Sequence, residues 1–159
     1  MHERYRYERI IKIAFACYLI VMFIFLGFYF YKSRRYLIGF EYTTINLIPF
    51  YQIGLYVYNL FQGFYTIGST KYLFGNILMF IPMGIFIPFM LNCRKKAFLK
   101  TIIITFCLVT LIETIQLIFT VGIFDIDDII LGTIGSMVGY YIFVLFNQCV
   151  LSSSRKPID

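Results

Sequence analysis

Charge is what this chain has least of. Only 14% of its 159 residues are Asp, Glu, Lys or Arg, 60% are apolar, and the mean hydropathy is +0.81. Soluble domains average about 25% charged residues, so this balance argues against an ordinary soluble fold and for an integral membrane protein. Tryptophan is absent, and the one histidine is His2 in the leading tail. The four cysteines, Cys17, Cys93, Cys107 and Cys149, have no C-x-x-C or Cys/His spacing. Zinc sites and a disulfide framework are therefore not expected, and no cofactor is. The net charge of +6 does not read as nucleic-acid affinity either. The 14 Lys and Arg fall in short clusters between apolar runs, as topology determinants do. The partners expected are membrane lipids, not nucleic acid.

What the chain has instead is long apolar runs. Four of them, 13–31, 73–91, 101–121 and 129–146, have 18 to 21 residues each. A hydrocarbon core of roughly 30 Å needs about 20. The fold class expected is all-α: one polytopic domain, 1–159, built as a bundle of four transmembrane helices. Arg4, Arg6, Arg9 and Lys12 precede the first run like a signal peptide's basic region. That run is longer than the usual signal core of about 7–15 residues and lacks an A-x-A cleavage site, so it should remain as an anchor. With the N-terminus inside, ten Lys and Arg lie on the inner side and four on the outer. The positive-inside rule then places both termini in the cytoplasm and the 122–128 loop outside.

Residues 36–72 are too polar to span and too aromatic for an ordinary loop. Pro49 stops any helix that runs through it. After it, Gln52, Tyr56, Asn59 and Gly63 recur at helical spacing, with Ile53, Leu60, Phe61 and Phe64 largely elsewhere on the wheel. The segment at about 45–70 fits a helix in the outer headgroup layer or dipping into it; a structured extracellular loop fits equally well.

Glu113 lies near the centre of the third run, where an ionisable side chain costs roughly 2.5–3.5 kcal/mol to insert. Thr110, Gln116 and Thr120 fall within about 60° of it on a helical wheel, so one face of this helix should point into the bundle. Interhelical hydrogen bonding explains Gln116 and the threonines; for Glu113 Gln would do that more cheaply, which favours function. In the fourth run Gly132, Gly135, Ser136 and Gly139 share one face, a packing stripe for close helix approach. If that helix starts as early as Asp125, then Asp125 and Asp128 project on the stripe's face and Asp127 points away. Asp128 should then matter more than Asp127. Asp125 suits an N-cap, with Asp128 three residues on. Capping does not explain three aspartates with no cation, so a metal, an amine or a basic side chain is expected beside them. Pro82, Gly84 and Pro88 suggest a kinked, cavity-lining second helix. Asn46, Pro49, Asn76 and the aspartates all fall at the outer end, and Glu113 lies about 3 Å outward of its run's midpoint. Together they would line a cavity open to the outer leaflet.

Four blocks in this order resemble the VanZ-like family, small membrane proteins named for a teicoplanin-resistance accessory protein. The blocks are Asn46-Leu47-Ile48-Pro49-Phe50, Asn76-Ile77-Leu78-Met79-Phe80-Ile81-Pro82-Met83-Gly84, Glu113-Thr114-Ile115-Gln116, and Asp125-Ile126-Asp127-Asp128 with Gly135. The resemblance covers about 43–140. Many members have an Arg shortly before the aspartates, where this chain has Ile123 and Phe124, and Asn where it has Gly132. The resemblance implies a polytopic membrane protein which, in some members, lowers susceptibility to teicoplanin-type lipoglycopeptides.

Three functions compete. The first is non-enzymatic handling of a lipoglycopeptide or a cell-wall lipid precursor at the outer face, around Asn46, Pro49, Asn76, Glu113, Gln116, Asp125 and Asp128. The second is a membrane enzyme acting on a lipid head group, with Glu113 or Asp128 as acid/base; the lack of an evident nucleophile weighs against it. The third is a small transporter with Glu113 as proton site, for which four helices are thin unless the chain forms a homo-oligomer.

Overall fold

A computed structural model of the chain describes residues 2–37, 45–63, 67–91, 96–120 and 123–153. In chain order the elements are α1 (His2–Leu37), β1 (Ile45–Asn46), α2 (Tyr51–Phe61), α3 (Ile67–Leu91), α4 (Ala97–Ile118), β2 (Phe124–Asp125) and α5 (Ile126–Ser153). Among the described residues, four helices are long and apolar enough to cross a membrane: Arg9–Gly27, Leu73–Leu91, Ala97–Ile118 and Ile126–Gln148. Hydropathy places all four, and the helices run on past the apolar runs because backbone hydrogen bonding does not stop where apolarity does.

The glycine stripe decides which helices meet most closely. A Cβ at Gly135 would lie 2.3 Å from the Ile77 carbonyl oxygen, and one at Gly139 would lie 2.0 Å from that of Ile81. Gly84 answers from α3, where a Cβ would come within 2.0 Å of the Ser136 carbonyl oxygen. With no side chain at these positions the two backbones touch, and α3 and α5 form the bundle's tightest seam. Ser136 is fully buried there. Gly132 serves a different neighbour, since a Cβ on it would strike Phe80 and Val109.

Around this seam Met22, Leu26, Phe80, Met83, Ile87, Val109, Ile112 and Ile129 form the core. α4 closes it on one side. α1 leans on α3 through Phe15, Tyr18 and Leu19, and the Tyr18 hydroxyl donates to the Met79 carbonyl at 2.7 Å. That contact falls one residue from Leu78, whose carbonyl has no helical donor because Pro82 lacks an N–H. The outward faces are apolar: Val21, Ile24, Leu78, Leu111 and Leu145 are all more than half exposed. Such a surface suits hydrocarbon, with the backbone polar groups satisfied inside each helix.

At one end of the bundle, where α4 stops and α5 starts, β1 and β2 pair in parallel, Ile45 beside Phe124 and Asn46 beside Asp125. α2 follows directly and has no buried residue. Its half-buried side carries Gln52, Ile53, Tyr56, Asn59 and Leu60, so Ile53 and Leu60 stand beside the polar residues rather than apart from them. Tyr51, Leu55, Tyr58 and Phe61 are exposed. Residues 67–70 of the aromatic segment already belong to α3. Phe64 lies outside the described residues.

Candidate functional site

α2 begins without a cap of its own. Pro49 and Phe50 occupy the middle of a turn closed by the Tyr51 N–H on the Ile48 carbonyl at 3.3 Å. Phe50 has φ 63 and ψ 10, the conformation of the third residue in a type II turn, for which proline is suited to the second position. Pro49 itself is exposed. Its part in the site is to steer the backbone. A non-glycine residue in the left-handed region costs roughly 1–2 kcal/mol, so something must hold Phe50 there.

Asp127 holds it. One carboxylate oxygen accepts the Phe50 N–H and the other accepts the Ile53 N–H at 3.0 Å. These are N–H groups that a side chain at the start of α2 would normally satisfy. Asp127 is fully buried. On the helical wheel Asp127 points away from the α3–α5 seam, and the element that covers it is the start of α2. Nothing in the local pattern around Asp127 signals this. The available signal was at the other partner: a helix opening Pro-Phe-Tyr with no Ser, Thr, Asp or Asn to cap it.

The remaining polar residues join the same end of the bundle. Asp125 caps α5, its Oδ1 accepting the Asp127 N–H at 2.9 Å, as its position predicts. The same oxygen receives the Asn46 side-chain amide at 3.1 Å. Asn46 Oδ1 accepts the Ile48 N–H at 3.3 Å, which bends the chain toward Pro49. The Asn76 amide donates to Asp128 Oδ1 at 2.6 Å, tying α3 to the first turn of α5.

Glu113, 3% exposed, is bonded on both oxygens. Oε1 accepts the Gln116 amide at 3.0 Å and Oε2 accepts the Asp125 N–H at 3.3 Å. Gln116 thus bonds within its own helix rather than across to another. Thr120 departs from the expected face: it lies beyond the end of α4, exposed, with φ 50. The buried Thr110 hydroxyl has no partner.

The aspartates are therefore not uncompensated, as their spacing alone suggested. Backbone N–H groups and two asparagine amides face them, and Asp127 and Asp128 also sit in the favourable first turn of α5. Among the described residues no group of His, Cys, Asp or Glu is arranged to hold a metal ion. Tyr56, which the sequence marks by its helical spacing and not as a site residue, lies close enough to feel this cluster. Burial, then the charges of Asp128 and of Asp125, raises its pKa above the ordinary value.

Asn46, Asn76, Glu113, Gln116, Asp125 and Asp128, drawn from four separate segments, thus meet at one end of the bundle. Comparison with known proteins gives this arrangement a context. The family described as VanZ/LLP1 matches residues 15–147. Protein VanZ of Enterococcus faecium is 28% identical over 119 residues, covering 75% of this chain and 68% of that protein. No solved structure matches the chain. A match over so much of the length, taking in β1, all of the hydrogen-bonded cluster and the glycine seam, makes this chain a multi-pass membrane protein of the VanZ/LLP1 family.

Proposed function

We propose that this protein lowers susceptibility to teicoplanin-type lipoglycopeptides from the cell membrane, without catalysing a reaction. It acts through a polar cavity, open to the outer leaflet, around Glu113 and the 125–128 loop. Both termini are cytoplasmic, as the Lys and Arg count favours. The observation that carries this reading is the hydrogen-bonded cluster of Asn46, Asn76, Glu113, Gln116, Asp125 and Asp128 at one end of the bundle. It coincides with the blocks on which the family resemblance rests. That both oxygens of Glu113 already take donors supports binding over acid/base chemistry. The ligand class is a lipoglycopeptide or a cell-wall lipid precursor, and α2 presents an exposed aromatic face beside the cluster for an amphiphile's tail.

The test is a susceptibility panel on a deletion strain, with vancomycin beside teicoplanin. Deletion is expected to sensitise cells to teicoplanin, and plasmid-borne protein to restore tolerance. Unchanged teicoplanin susceptibility in both arms sinks the proposal.

A further inference from the structure

The Asp127 side chain takes no part in the contacts that join Asn46, Asn76, Glu113, Gln116, Asp125 and Asp128, yet among the described residues none is more buried. Its two oxygens reach N–H groups 77 and 74 residues away, at the start of α2. That helix has 11 residues. Isolated helices shorter than about 12–15 residues are marginal, so α2 depends on what surrounds it. It buries no residue fully and has no capping side chain at its start. Residues 45–63 contain no charge at all, so no ion pair fixes α2 in place. Its inner face carries Tyr56, within the field of Asp125 and Asp128.

We infer that Asp127 is the positioning residue of the candidate site: capping α2 from the first turn of α5, it fixes Tyr56 against Asp125 and Asp128. The inference rests on the cluster being the functional site, but its test needs no resistance phenotype. A carboxylate is required because two N–H groups must be accepted at once, one on each oxygen.

The experiment uses the full chain in detergent micelles, with amide exchange at Phe50 and Ile53 and the titration of the Tyr56 ring carbon followed by NMR. In Asp127→Ala, both amides are expected to exchange at least tenfold faster, with the amides of Met83 and Ser136 in the α3–α5 seam unchanged. Tyr56 should then titrate at lower pH, near an ordinary tyrosine. Asp127→Asn retains one acceptor oxygen, so one of the two amides should remain protected; it is the variant to read if Asp127→Ala does not accumulate. Both amides staying protected in either variant overturns the inference. So does faster exchange with the Tyr56 titration unmoved, which would reduce Asp127 to a cap with no hold on the site. A missing teicoplanin phenotype in wild-type cells would count against the proposed function alone.

Discussion

Glu113 accepts two hydrogen bonds in a helix that crosses the membrane, and each has a separate origin. Glu113→Gln removes the charge and turns one acceptor into a donor, so one of the contacts from Gln116 and the Asp125 N–H is lost. That loss costs about 1 kcal/mol, offset by easier insertion of an uncharged side chain. Membrane abundance should therefore stay near normal while teicoplanin tolerance disappears, measured at matched expression. Full tolerance in Glu113→Gln cells would make the residue a packing element. Thr105 gives the opposite case. It is fully buried and its hydroxyl has no partner, whereas the Thr101 hydroxyl bonds back to the Ala97 carbonyl at 2.8 Å. Thr105→Val removes an unsatisfied polar atom at nearly constant shape and is expected to stabilise by about 1 kcal/mol, while Thr101→Val loses a bond and should not. Thermal unfolding of the two variants in one detergent decides it. Residue by residue, the site was legible where chemistry was out of place: a carboxylate in an apolar run, asparagines at a run's edge. Asp127 was not, because its significance lies in α2, which no local periodicity connects to it.

The helices themselves were the most legible part of the chain, since a bilayer demands about 20 apolar residues and the runs supply them. The seam was legible too, because only small residues at helical spacing let two backbones touch. It yields a direct comparison. In Gly139→Ala the new methyl would lie 2.0 Å from the Ile81 carbonyl oxygen, and neither backbone can retreat without opening the seam. A loss of about 1–3 kcal/mol is expected. Gly75→Ala meets nothing within 4 Å and should be neutral or gain up to about 1 kcal/mol of helix propensity. Equal unfolding temperatures for the two variants would show that the seam is looser than described. The short elements were the least legible. β1 and β2 have two residues each, far below any detectable alternation, and their pairing partners stand 79 residues apart.

At the scale of the whole molecule, the candidate site is confined to one end of the bundle, so its side of the membrane settles which ligands can reach it. Asp125 and Asp127 are too buried to label, which makes Thr120 and Lys96, both exposed and at opposite ends of α4, the useful positions. In a variant without Cys17, Cys93, Cys107 and Cys149, a cysteine at 120 should react with an impermeant thiol reagent on intact cells. One at 96 should react only after lysis. The reverse pattern would turn the cluster toward the cytoplasm and with it the proposed access for an extracellular antibiotic.

The parallel ladder between β1 and β2 also sets the order of events in biogenesis. A ribosome delivers Asn46 long before Asp125, and 79 residues at about 5–20 per second take several seconds. Through that interval Asn46 has no carboxylate to bond and α2 has no cap, whereas Glu113 is made only 12 residues before the Asp125 N–H that it accepts. The β1–α2 segment must therefore wait for its partners until the start of α5 is made, so this end of the bundle is the last part of the structure that can close.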